Sequence, residues 1–179
     1  MLYCAKKLLL IVLLMFPLVA LAQRVAVKTN LAHWATASPN LGAELVLGRK
    51  VTLDFGVAVN PFSFGETQTR AYLLSPEVRY WPGRPMAGHF VGVNASMGQY
   101  DLSWRGTNYN GDFFAAGLSY GYVFILGRRW NLEANIGVGW LRGRCKRWDD
   151  GGNAPSRPNV HRDLVAPTRI GVTLSYIIK

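Results

Sequence analysis

"LSPEVRYWPG", Leu74 to Gly83, decides the fold. Val78, Tyr80 and Trp81 favour extended backbone. Glu77 and Arg79 interrupt them with charge, and Pro76 lacks the N–H that a sheet ladder uses. Side chains of a strand alternate between faces, so Glu77 and Arg79 share one face, while Leu74, Pro76, Val78 and Tyr80 share the other. The stretch fits a soluble sheet with a wet face. It fits equally a membrane barrel, with lipid outside and polar groups within.

Working outward, the same period-two pattern recurs. Residues 24–34 set Val25, Val27, Thr29 and Leu31 against Lys28 and Asn30. Further on, Leu41, Ala43, Leu45 and Leu47 oppose Gly42 and Glu44. Val51, Leu53, Phe55, Val57 and Val59 oppose Thr52, Asp54 and Gly56. After the opening stretch, which extends back to Tyr72, come Val91, Val93, Ala95 and Met97 against Gly92, Asn94 and Ser96. The last three segments run from Phe114 to Phe124, Trp130 to Trp140 and Arg169 to Tyr176. The pattern predicts eight strands. Connectors alternate too: 48–50, 82–88 and 127–129 are short, whereas 35–39, 60–70, 102–111 and 143–164 are longer and polar. Short turns at one end and long loops at the other are the asymmetry of an up-and-down outer-membrane barrel.

Aromatic residues give an independent check. Tyr80, Phe124, Trp130 and Tyr176 fall at short-turn ends, and Tyr72, Phe114 and Trp140 at long-loop ends, all with apolar parity. Aromatic girdles at two interfaces are expected of a barrel in a bilayer. Strands of this length, at about 3.3 Å per residue and roughly 40° tilt, cover on the order of 20–25 Å. Glu77 and Arg79 would then point into a narrow lumen. Lys28, Glu44, Asp54, Glu77 and Glu133 lie at similar depth, with Arg79 just below and Arg169 higher. These seven are expected to converge in one lumen charge network, because unpaired buried ions are strongly unfavourable. Pro76 should leave a bulge or a local gap in the ladder.

The first 22 residues combine Lys6 and Lys7, an apolar run from Leu8 to Ala20, and the small-x-small Ala20-Leu21-Ala22. They read as a cleavable signal peptide. Cys4 precedes the apolar run, so it is not placed as a lipoprotein cysteine. The remaining 157 residues, 23–179, suit one barrel domain with both termini in the periplasm. Without Lys6 and Lys7 the chain keeps 18 basic and 10 acidic residues, a net charge of +8. For an exported protein this argues for anionic lipid headgroups, lipopolysaccharide or surface glycans as partners, and against nucleic acid. Cys145 is the single cysteine after processing, so no internal disulfide framework is expected and the thiol is free or pairs between molecules. Nineteen glycines and 12 % aromatics, with no long apolar run after the leader, suit an all-β chain rather than a helical membrane protein.

The segments "VKTNLAHWATASPNLGAELVLGRK", "PEVRYWPG", "GHFVGVNASMGQYD", "LSYGYVFILGRRWNLEANIGVGW" and "SYIIK" resemble a Bacteroidota outer-membrane β-barrel family, catalogued as domain of unknown function 3575. The resemblance runs over nearly all of residues 23–179. It implies an eight-stranded OmpA-like small barrel in the outer membrane and no reaction. An OmpA-type peptidoglycan-binding domain is not expected, since the chain ends at Lys179. The closing "IIK" departs from barrels that end on an aromatic.

No catalytic, cofactor or metal site is expected. His33 with Ser38 is the one imaginable nucleophilic pair, but no carboxylate is placed to orient His33. His33, His89 and His161 fall on different segments, against a metal site. Asp149, Asp150 and Gly151 start like a calcium loop, but further oxygen ligands are wrongly spaced. Arg142, Arg144, Lys146, Arg147 and Trp148, in the loop 143–164 or at its edge, are the candidates for binding lipopolysaccharide phosphates or a surface partner; the plain alternative is a solvated loop. Gly117, Gly121, Gly137 and Gly139 point inward and would leave room for larger neighbours. The reading is a monomeric outer-membrane barrel with a structural or surface-interaction role. A narrow channel or a lipid- or ligand-binding barrel is the alternative, and a soluble lipocalin-like carrier, with its apolar face inside, is the third.

Overall fold

The computed structural model describes residues 24–61, 63–64, 67–104, 106–149 and 151–178, with backbone alone at 63–64 and 67–69. The expected leader lies outside the described residues. Eight antiparallel strands follow one another: β1 Val25–Asn30, β2 Asn40–Val46, β3 Val51–Asn60, β4 Thr67–Tyr80, β5 Gly88–Trp104, β6 Thr107–Ile125, β7 Trp130–Asp149 and β8 Val160–Ile177. Each pairs with its neighbours in sequence, and β1 also pairs with β8, so the sheet closes into an up-and-down barrel. A two-residue piece, Ser63–Phe64, folds back on the start of β4. Closure leaves no sheet edge along the ring where strands are paired.

The barrel is inverted relative to a water-soluble one. Val78, Val93, Leu118, Ile136, Val138 and Ile170 are among many large apolar side chains exposed on its outside. Lys28, Glu44, Asp54, Glu77, Arg79 and Glu133 are buried inside it. The opening stretch therefore takes the second of its two readings, with charge facing inward. The alternation of a soluble carrier, apolar inside and polar outside, is not the one observed.

Pro76 leaves a gap and not a bulge. The β4–β5 ladder runs to Leu74↔Met97 and resumes at Glu77↔Asn94 in the same register, while Pro76 still stands opposite Phe55 of β3. The register shift lies elsewhere, where Gly137 faces Arg169 and Val138 faces Pro167. Thr168 is the extra residue, its carbonyl held by the Ser96 hydroxyl at 3.2 Å. This bulge switches parity within β8. It lets Val165 and Pro167 on one side of it, and Ile170 and Val172 on the other, all face outward while Arg169 faces in.

Several expected boundaries are corrected, beginning with the connector 60–70, of which Thr67–Arg70 already belongs to β4. Residues 102–111 and most of 143–164 are strand, not loop. Trp104 pairs with Thr107 around a tight turn in which Gly106 has φ 78°, and β7 and β8 stay paired out to Cys145↔Val160. Polar residues that alternate with Trp104, Tyr109 and Trp148 keep enough strand preference for the ladder to continue beyond the apolar band. The first strand, conversely, stops early. Asn30 caps a short helix, α1 (Leu31–Ala35), by accepting from the Ala32 amide at 3.0 Å. His33 and Leu31 therefore belong to a helix.

Candidate functional site: the lumen charge cluster

Registration of three neighbouring strands creates an electrostatic problem. Glu44 pairs with Asp54, and Asp54 pairs with Glu77, so β2, β3 and β4 set three inward carboxylates side by side. Like charges directly opposite are destabilising. Glu133 adds a fourth from β7. Three cations answer them. Lys28 Nζ lies 2.9 Å from Glu44, 3.1 Å from Asp54 and 2.6 Å from Glu133. Arg79 reaches Glu77 through Nε at 2.6 Å, Glu44 and Glu133 through Nη1 at 3.2 and 2.8 Å, and Asp54 through Nη2 at 3.1 Å. Arg169 pairs with Asp54 and stands 3.2 Å from Glu77.

The structure thus brings together all seven residues that share the inward parity and depth. Arg79 is wholly buried, so its planar guanidinium is the hub: its fork touches all four carboxylates at once, as an ammonium could not. Neutral groups complete the shell. Thr52 donates to Glu44 at 2.7 Å and accepts from the Trp81 indole at 2.9 Å. Asn135 donates to Glu133 at 2.5 Å, and Ser119 donates to Glu77. Gly92 lies under the Glu77 carboxylate, where a Cβ would collide with it.

Residues not foreseen as part of the site close the barrel below this layer. Trp81 and Phe90 are fully buried with ring centroids 5.0 Å apart, and the Arg79 guanidinium lies 4.3 Å over the Phe90 ring. Gly121 makes room for that ring. Met86, Val46 and Ala26 form a second apolar cluster at the same end, and the Met86 carbonyl accepts from Asn131 at 2.9 Å. The signal for this floor was present: Trp81 and Phe90 have the inward parity at the short-turn ends of β4 and β5. Sequence alone does not single them out, because an aromatic at a strand end is equally suited to a bilayer interface.

The aromatics of apolar parity stand outside in two rims. Tyr72, Phe114 and Trp140 are exposed at one end, and Tyr80, Phe124 and Trp130 at the other, where Trp130 packs on Tyr176 at 4.9 Å. The cationic candidates are distributed differently from a loop cluster. Arg142, Arg144, Lys146 and Trp148 alternate along β7 on its outer face, just beyond Trp140, with Arg147 on the opposite face. Arg142 pairs with Asp163 at 3.0 Å and lies 5.3 Å over the Trp140 ring; Arg144 reaches Asp112 at 3.5 Å. Both pairs are solvent-exposed and contribute little to stability.

The other chemical candidates stay apart. Ser38 is buried and its hydroxyl is engaged by Thr36 and Asn60, each at 3.2 Å. His33 faces a cavity above the charge layer. His89 hydrogen-bonds Tyr120 at 2.6 Å on the outer face, and His161 stands opposite Arg144. Asp150 of the calcium-like run lies outside the described residues. Cys145 is a buried free thiol, hydrogen-bonded to the Tyr100 hydroxyl.

A closed antiparallel barrel with an apolar exterior, two aromatic rims and an ion-paired interior defines the class. A family model described as "Protein of unknown function (DUF3575)" matches residues 8–178, and the chain belongs to that family. No curated protein matches the sequence.

Proposed function

We propose that the protein is a monomeric outer-membrane barrel whose lumen is a structural plug, and that its role is structural or one of surface interaction rather than catalysis. The observation that carries the reading is the inverted polarity: an apolar outer band bounded by aromatic rims around a buried ionic core. Exposed apolar area on this scale is not sustained in water and matches a bilayer. The short-turn end faces the periplasm, and the hairpins of β5–β6 and β7–β8 project outside the cell. Arg142, Arg144 and Lys146, set on the outer face just beyond Trp140, meet the phosphates of lipopolysaccharide or a surface partner. Residues 1–22 act as the export signal.

The test is refolding from denaturant into detergent and into phospholipid vesicles. A folded barrel migrates differently on a gel before and after boiling and resists extraction by carbonate. Solubility without detergent, with one gel mobility at every temperature, would overturn the reading.

A further inference from the structure

The registers of β3 to β7 stack the side chains of the outer face into rows. Val57 stands opposite Leu74, Leu74 opposite Met97, Met97 opposite Phe114 and Phe114 opposite Arg142. One step toward the long hairpins the row runs Val59, Tyr72, Gln99, Asp112 and Arg144. One step further it runs Arg70, Asp101, Asn110 and Lys146. Residues directly opposite one another, or two apart along a strand, share a face, so all three rows lie with the exposed Tyr72 and Phe114 of the outer rim. Within three rows the outside of the barrel passes from apolar, through aromatic, to charged.

Two depressions follow this order. The one within the apolar band measures about 650 Å³ and lies over β3 to β6, with Val57, Val59, Leu74 and Met97 as its outward side chains. The one beyond the rim measures about 370 Å³, and its charged lining is Arg70, Arg144 and Lys146 with Asp101 and Asp112. Tyr72, Gln99 and Asp112 line both, so the two adjoin at the rim. Three cations thus face two carboxylates. Asp112 meets Arg144 at 3.5 Å, whereas Arg70 and Lys146 make no ion pair among the described residues. The Arg144–Asp112 pair is exposed and worth little by itself, so Arg144 can turn to a ligand at small cost.

Resting on the outer-membrane reading, we propose that these adjoining depressions form one site for a phosphorylated glycolipid of the outer leaflet, with a phosphate on Arg70, Arg144 and Lys146 and acyl chain in the groove below. Depth carries the assignment. An aromatic rim marks the level at which hydrocarbon gives way to headgroups, so the cationic depression stands where phosphates lie and the apolar one where chains lie. Size agrees. At roughly 30 Å³ for each water-sized group, the upper depression holds on the order of ten heavy atoms and the lower about twenty, a phosphate with its sugar above and an acyl chain below. Chemistry selects the headgroup. The guanidinium groups of Arg70 and Arg144 match phosphate oxygens, and Lys146 adds a mobile point charge. Gln99 and Asn110, also in the upper lining, supply amides that both donate to and accept from sugar hydroxyls. Asp101 works against the phosphate and limits the affinity.

The experiment uses the refolded barrel in detergent, with lipid A, its dephosphorylated form and phosphatidylglycerol as probes, and native mass spectrometry as the readout. One lipid A should remain per barrel, and the dephosphorylated form should bind about tenfold more weakly, a difference of roughly 1.4 kcal/mol. Phosphatidylglycerol, which has the phosphate but no sugar, should also bind more weakly than lipid A. Arg144→Gln combined with Lys146→Gln should weaken lipid A by about the same tenfold factor, and Met97→Trp should weaken it by filling the groove. Asp101→Asn should strengthen it. Arg128→Gln, in the turn between β6 and β7 at the opposite end of the barrel, should change nothing. Equal retention of lipid A and its dephosphorylated form by the wild type overturns the proposal, as does phosphatidylglycerol held as tightly as lipid A. So does an equal loss from Arg128→Gln and from the double variant. Should a variant fail to fold, the preference of the wild type among the three lipids decides alone. Loss of heat-modifiable migration and of vesicle insertion by the wild type would instead overturn the outer-membrane reading itself.

Discussion

Arg79 concentrates the energetics of the lumen in one side chain. It touches all four carboxylates of a cluster that already carries one more acid than base. Removing it leaves four carboxylates facing two cations. Arg79→Ala should therefore cost about 3–5 kcal/mol, the usual penalty for leaving a buried charge unpaired. Glu77→Gln moves the balance the other way, toward neutrality, and keeps the shape of the side chain. It should cost clearly less than Arg79→Ala. Urea unfolding of both variants in vesicles checks the order; equal losses would mean that packing and not charge dominates. Further out, burial first, and then the neighbouring Cys145 thiol, push the Tyr100 hydroxyl up from 10 to about 12. The raised value favours the neutral phenol in the fold. This contribution is fully present below pH 10 and is lost as the pH rises through 12. Absorbance titration should show one tyrosine ionising last, and Cys145→Ala should bring it down.

At the scale of elements, the sequence was most legible where one face is apolar and the other polar. Glu77 and Arg79 against Val78 and Tyr80 identify their strand because parity is enforced by two different surroundings. Beyond the rims this contrast vanishes. From Tyr109 to Asp112 and from Arg142 to Asp149 neither face is uniformly apolar, so period two carries little signal and the hairpins read as loops. Leu31 continues the alternation of β1 by chance, which hides α1; the deciding signal was the capping residue Asn30. The Thr168 bulge was equally hidden, since a parity switch looks like the end of a strand. The charge cluster was visible as a set at one depth, but its hub was not: only geometry shows that Arg79 spans all four acids. The corrected hairpins sharpen one topological expectation. Among the described residues, 151–159 rather than all of 143–164 lie between the end of β7 and the start of β8. An epitope inserted after Gly152 should be labelled on intact cells and leave folding unchanged. Labelling only after lysis would invert the barrel.

For the whole molecule, the question is whether a closed ring of eight strands leaves a path through its middle. An eight-stranded interior is only wide enough to fill with side chains. Here it is filled twice over, by the ion-paired layer and, beneath it, by Trp81, Phe90 and Met86. The cavity above the ion-paired layer ends on it, and the next step through the barrel would require Arg79 to leave four partners. A permeant ion would also meet an apolar floor that offers it no ligands. The barrel should therefore insert into planar bilayers without steady conductance. Arg79→Ala alone should not open it, because the Trp81–Phe90 floor remains. Arg79→Ala combined with Trp81→Ala and Phe90→Ala removes both barriers and should give measurable current if the ring stays folded, as judged by its heat-modifiable migration. Steady current through the wild type would mean that the two layers move apart in the membrane, and the narrow-channel reading would replace the plug.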